Sequence, residues 1–178
     1  DHVCPDYIKL QVFNLEELIP PFLVNNHPLQ RIAFDHGQWL SIIEFANKLS
    51  IPIIYEPFDN SSLSLVLKAS NTKKIKIPTS DICDEQLIRT TLSEDRLDTI
   101  YFGSGGATLP ELNYINNLTK DSSASRFLVH GFQGYPTKLC DVDLLRMQFL
   151  ADYYNLNMGY ADHTAGEEYS HTLSLCFA

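Results

Sequence analysis

FLVHGFQGYPTKLCDVDLLRMQFLADYYNLNMGYADHT, residues Phe127 to Thr164, is the stretch whose reading decides the fold. Phe127–Val129 is a short apolar run that ends in His130 and passes into a polar, glycine-bearing loop, residues 131–137. A helical apolar period then runs from about Asp141 to Asn155, and a second short strand (Met158–Ala161) ends in Asp162, His163 and Thr164. Two strand-like runs joined by a single helix form one βαβ unit, which requires parallel strands. In parallel α/β folds the carboxyl ends of the strands share one face, and ligands bind there. Each of these two strands delivers a histidine at that end.

The same grammar extends toward the N-terminus. Tyr7–Phe13 reads as a strand with Lys9 and Gln11 on one face. Residues 18–36 form a proline-rich excursion without a clear period. Gly37–Ser50 carries Trp39, Ile42, Ile43, Ala46 and Leu49 at helical spacing. Ile51–Tyr55 is a buried-type strand halted by Glu56 and Pro57, and Ser61 or Ser62 caps a helix to about Ala69. Lys74–Thr79 is a strand, and a helix begins at Asp84. Thr99–Phe102 is a strand that runs into Gly103, Ser104, Gly105 and Gly106, after which Thr108 caps a helix. The strands start near residues 7, 52, 73, 98, 126 and 157, mostly 21–31 residues apart, the size of one βα unit. The expectation is a single α/β domain over residues 1–178: a parallel sheet with helices outside it, either doubly wound or part of a (β/α)8 barrel. No GxGxxG opens the first helix, which weighs against a dinucleotide fold.

Composition narrows the function. A net charge of −9 disfavours nucleic-acid and anionic-membrane surfaces, and no apolar run reaches the roughly 18–20 residues of a bilayer span. Cys4, Cys83, Cys140 and Cys176 are far apart without a CxxC pair, so reduced thiols in a cytoplasmic protein are expected. At the strand ends stand Lys9, Gln11, Glu56, Lys76, Thr79, Ser104, His130, Gln133, Asp162 and His163. Lys9 and Lys76 lie between apolar neighbours, and a lysine buried at a strand end needs an anionic partner, from the protein or from a ligand. The glycine loop 103–106 exposes backbone N–H groups just before a helix, a candidate anion cradle. Two lysines, such a loop and two histidines together point to a small phosphorylated or carboxylated substrate handled with a divalent metal.

The ordered series KLQVF, PFD, KIPTSD, GSGGATLPEL, HGFQGYPT and GYADHT resembles the sialic acid synthase (N-acetylneuraminate synthase) family over nearly the whole chain, from about Tyr7. The resemblance implies a (β/α)8 barrel, incomplete here at about six βα units, starting near the family's second strand and lacking its first and last strands and its C-terminal antifreeze-like domain. It implies condensation of phosphoenolpyruvate with an N-acetylated hexosamine or its phosphate, with Mn2+ or Mg2+ as cofactor. On that reading Lys9 and Lys76 hold phosphoenolpyruvate and Thr79 stands where the family has a phosphate-binding serine. Gln133 (an asparagine in many members) and Tyr135 lie against the substrates, and His163 is a metal ligand. Gln11, Glu56, Phe58, Ser104 and His130 complete the expected substrate-binding set. Partners are expected to be small molecules, with a homodimer as the assembly to test. Three positions depart from the pattern: Glu56 replaces a phosphate-contacting threonine, and Gly103 and Ala161 replace serines. The alternatives are a catalytically silent sugar-binding or scaffolding barrel and a metal-assisted aldol-type enzyme with a non-phosphorylated donor.

Overall fold

A computed structural model describes residues 5–24 and 27–164. Six strands, β1 (Ile8–Val12), β2 (Ile53–Pro57), β3 (Lys74–Ile77), β4 (Thr99–Gly103), β5 (Ser125–His130) and β6 (Asn157–Tyr160), form one sheet in sequence order. Every pairing is parallel. Between them run α1 (His36–Lys48), α2 (Asn60–Ala69), α3 (Glu85–Leu92), α4 (Leu109–Thr119) and α5 (Leu144–Tyr154). The irregular stretch after β1 contains two single α-turns, Leu15–Leu18 and Pro21–Val24, and a 3-10 turn, Pro28–Arg31. The sheet does not close, because β1 and β6 pair with one strand each among the described residues. It is the wall of an incomplete (β/α)8-type barrel.

Alternation along the strands divides this wall into two faces. The outward set includes Val12, Tyr55, Ile75, Ile77, Ile100, Phe102 and Leu128, which pack with Ile43, Leu63, Val66, Leu87, Ile88, Leu112, Ile115 and Leu150 of the helices in one apolar cluster. The inward set carries Lys9, Gln11, Glu56, Lys76, Gly103 and Val129 toward the barrel axis. Lower in the wall Tyr101 and Phe127 fill the interior, with ring centroids 5.3 Å apart.

Caps fix the helix starts. Asp35 and Thr108 make full capping boxes with Gln38 and Glu111, and the second of these begins where Thr108 was expected to cap. α2 is capped by Asp59 rather than by Ser61 or Ser62. Its buried carboxylate accepts from Ser62 N at 2.7 Å, from both serine hydroxyls at 2.8 Å, and from Asn14 N at 2.7 Å, tying the exits of β1 and β2 together. β2 also runs further than the sequence reading allowed. Glu56 and Pro57 stand inside it, opposite Gln11 and Val12, because only the Pro57 nitrogen lacks a donor and a strand end tolerates that.

Tyr55 gives a testable consequence of this packing. It is 1% exposed, and burial pushes its phenol up to about 12. With the folded value above the unfolded value of about 10, the contribution is intact below pH 10 and is lost as pH rises toward 12. Two units correspond to about 2–3 kcal/mol. Denaturant unfolding between pH 9 and pH 12 is expected to show that loss, and Tyr55→Phe is expected to remove this share of it.

Candidate functional site

The inward side chains meet at the carboxyl mouth of the wall, around a cavity of about 230 Å³. Lys9 and Gln11 come from β1, Glu56 from β2 and Lys76 from β3. Phe58, Thr79 and Ser80 follow the ends of β2 and β3, Gly103 ends β4, Gln133 and Tyr135 lie on the loop after β5, and His163 follows β6. Nine of the sequence-expected site residues share this cavity: Lys9, Gln11, Glu56, Phe58, Lys76, Thr79, Gln133, Tyr135 and His163.

Its floor is an ion triad. Glu56, 2% exposed, accepts from the ammonium groups of both Lys9 and Lys76 and lies 3.4 Å from the Gln11 amide nitrogen. Burial acts to raise the Glu56 pKa, but the charges and hydrogen bonds of Lys76 and Lys9 outweigh it and hold the carboxyl below its ordinary range. Lys76 is drawn down, chiefly by burial and further by the Lys9 charge, with Glu56 opposing. The sequence required an anion for these lysines, and the chain supplies one.

Across the cavity the Gln133 amide nitrogen lies 3.2 Å from Gly131 O and 3.4 Å from Thr79 Oγ1. The His163 ring stacks on Tyr135 at a centroid distance of 4.2 Å. His163 Nδ1 sits 2.7 Å from the Phe132 carbonyl oxygen, an acceptor only, so Nδ1 is the donor in that bond. Its Nε2 lies 2.7 Å from the Tyr135 hydroxyl, in hydrogen-bond contact. Although Tyr135 is 76% exposed, the part of it that is covered, with the field of Glu56, raises its pKa and keeps the phenol protonated.

This orientation resembles that of a metal-binding imidazole, whose second nitrogen is fixed by a carbonyl. Yet one nitrogen is not a ligand set, and among the described residues no three His, Cys, Asp or Glu side chains are placed to hold a metal ion. The described residues therefore do not by themselves fit a resident divalent cation.

Two expected site residues face elsewhere. His130 shares the outward parity of Leu128 and is 3% exposed; its Nε2 lies 2.8 Å from Val142 O and its ring stacks near Tyr160. It supports the loop before α5 and does not reach the mouth. Ser104 is fully buried on the same outward side, and its backbone N–H donates to Val129 O at 2.9 Å. The Ser104 N–H of the glycine loop is thus taken within the fold, and the loop is closely packed. A Cβ on Gly103 would lie 2.5 Å from Thr79 Oγ1, and one on Gly105 would lie 1.6 Å from Gly131 O. Arg146 of α5 holds the loop from outside, donating to Ala107 O at 2.5 Å. Sequence reading gave no sign of Arg146, which sits in an ordinary helical period. Cys83 and Cys140 are exposed free thiols away from the mouth, and Cys4 and Cys176 lie outside the described residues.

A parallel βα wall with lysines, a glutamine, a tyrosine and a histidine converging at the strand carboxyl ends defines a barrel-type protein with a polar, anion-compatible mouth. The chain belongs to the NeuB family, whose model matches residues 3–173. It is similar to the N,N'-diacetyllegionaminic acid synthase of Legionella pneumophila, 28% identical over 180 residues, covering 90% of this chain and 50% of that protein. It is likewise similar to the pseudaminic acid synthase of Helicobacter pylori, 28% identical over 176 residues, covering 90% and 51%. Among solved structures, the N-acetylneuraminic acid synthetase of Leptospira borgpetersenii serovar Hardjo-bovis in complex with citrate superposes with a TM-score of 0.81 at 25% identity, covering 97% of this chain and 60% of that one. The chain thus spans about half the length of the curated relatives it matches. No helix among the described residues is long and apolar enough to cross a membrane.

Proposed function

We propose that this chain is the substrate-seating wall of a sialic-acid-synthase-type enzyme, which condenses phosphoenolpyruvate with an N-acetylated hexosamine or its phosphate and releases phosphate. The observation that carries the reading is the convergence of Lys9, Lys76, Gln133, Tyr135 and His163 on one cavity. The relatives' names, legionaminic and pseudaminic acid synthases, support the product class.

In this reading Lys9 and Lys76 neutralise the donor's anionic groups, which brings its carbon 3 within reach of the sugar's open-chain aldehyde. Carbon 3 forms the new C–C bond, water adds at carbon 2, and the carbon 2–phosphate oxygen link breaks to release phosphate. Gln133 and Tyr135 supply neutral donors to the polar groups of the two substrates. A divalent cation, the cofactor implied by the resemblance, would find a single nitrogen donor, His163 Nε2, among the described residues.

Phosphate release that requires both phosphoenolpyruvate and an N-acetylated hexosamine is the test. Lys76→Met is expected to cut that release about 100-fold or more, since a charge aimed at the reacting anion is lost. Release that ignores the sugar, or that survives Lys76→Met unchanged, overturns the proposal. The pairing of Glu56 with both lysines favours a second reading, a donor that carries a carboxylate but no phosphate. Turnover of pyruvate with the same sugar would establish it.

A further inference from the structure

We propose that Glu56 is the free protein's own occupant of the anion seat, and that a dianion enters by converting Glu56 to the neutral acid, one solvent proton being taken up per anion bound. The inference rests on the reading of Lys9 and Lys76 as the donor's anion seat, and adds a coupling to protons which that reading does not contain.

Charge count is the first argument. Two ammonium groups and one carboxylate meet in the floor of the cavity. A dianion added to them (+2, −1, −2) leaves a net −1 in the cluster, whereas a protonated Glu56 brings the sum to zero. The second argument is geometric. Glu56 is 2% exposed, on a strand paired on both sides, opposite Gln11 in the β1 register and next to β3 through the Tyr55–Ile75 pair. The wall therefore fixes where its side chain starts, and the cations bonded to it are Lys9 and Lys76.

The remaining ionisable groups do not offer a replacement partner. Tyr135 and His163, from the loops after β5 and β6, face the cavity already bonded to each other. Asp81 and Asp59, from the turns after β3 and β2, are further carboxylates, and Asp81 is pushed up by burial, with Asp84, Asp59 and Glu56 adding to that. Once a dianion engages the two ammonium groups, its charge offsets theirs at Glu56, and burial then favours the neutral acid. The acid O–H can then donate to an oxygen of the bound anion, so the proton that enters has a defined place.

Inorganic sulfate is the probe, because it remains a dianion throughout the working range and any proton taken up belongs to the protein. Titration calorimetry at pH 6.5 in two buffers of different ionisation enthalpy gives the proton count. The parent is expected to take up about one proton per sulfate, with affinity falling about tenfold for each unit that pH rises. Glu56→Gln, matched in shape, is expected to bind sulfate at least tenfold more tightly at pH 6.5 and to take up none. Uptake that persists in Glu56→Gln assigns the proton to another group such as His163 and overturns the proposal, as does sulfate binding by the parent without uptake. That second result needs the parent alone, so a poorly folding variant does not remove the test. Sulfate binding by neither protein overturns the anion seat itself, and with it the proposed function.

Discussion

Glu56→Ala is expected to lower the unfolding free energy by about 3 kcal/mol at pH 7 in buffer free of polyvalent anions. Lys9 and Lys76 converge on that one carboxylate, and its removal leaves two ammonium groups side by side at the floor of a cavity. Lys76 is 15% exposed at its side chain and has little water to turn to, whereas Lys9 at 43% can swing outward, so the low end of the cost of breaking a buried pair applies. The pH dependence has a fixed sign. Glu56 is held below the ordinary glutamate range in the folded chain, so its contribution is present above about pH 4.3 and disappears as pH falls through the folded value. The stabilities of parent and variant are therefore expected to converge in acid. Sulfate should restore the variant at pH 7, by about 2.7 kcal/mol at a hundredfold excess over its Kd. Denaturant unfolding with and without sulfate checks all three outcomes. A variant as stable as the parent at pH 7 would show that the triad contributes nothing to folding.

The fold was readable because two periods dominate the chain. Runs such as Ile75–Ile77 and Thr99–Phe102 alternate with amphipathic stretches such as His36–Lys48, and that succession admits only a parallel sheet with helices outside. Lys9, Gln11 and Lys76 were readable as mouth residues because polar side chains at alternate positions of apolar strands must leave the helix-packed face. His130 and Ser104 were misplaced by the same rule, applied at strand ends without a fixed parity. The register settles that parity: Gly103 opposes Val129, and Val129 lines the mouth, so Ser104 and His130 one residue later face the helices. Asp59 as the cap of α2 was hidden among the adjacent Asn60, Ser61 and Ser62, all good capping residues. That Glu56 pairs with both Lys9 and Lys76, 47 and 20 residues away in sequence, follows from β2 lying between β1 and β3, the order a barrel implies, and from the inward parity of Glu56, which the sequence left open.

The other large effect belongs to the glycine loop. Gly105→Ala is expected to destabilise the chain by about 3 kcal/mol or more, at the upper end of overpacking and beyond the usual range of surface changes. A Cβ there would lie 1.6 Å from the carbonyl oxygen of Gly131 and 2.7 Å from its carbonyl carbon, and backbone, unlike the tip of a long side chain, cannot rotate away. Gly131 is itself pressed from the other side, since a Cβ on it would lie 2.6 Å from Ala161 O. A shift of the 131 backbone away from residue 105 thus moves it toward the exit of β6. Ala161 N donates to His130 O at 2.7 Å, so that exit is tied to the same segment. The strain reaches the cavity as well, because Gln133 and Tyr135 follow Gly131 within four residues and His163 is bonded to the same loop through Phe132 O. Gly106→Ala makes the comparison informative. Its φ of +82° disfavours a side chain, but the nearest contact of an added Cβ is 3.7 Å away, on the Gln133 side chain. It should therefore cost only about 1 kcal/mol, the price of a left-handed backbone without a clash. Thermal unfolding of the two variants against the parent decides the matter, and equal losses would mean that backbone conformation, not the approach of β5 to β4, is what the glycines serve.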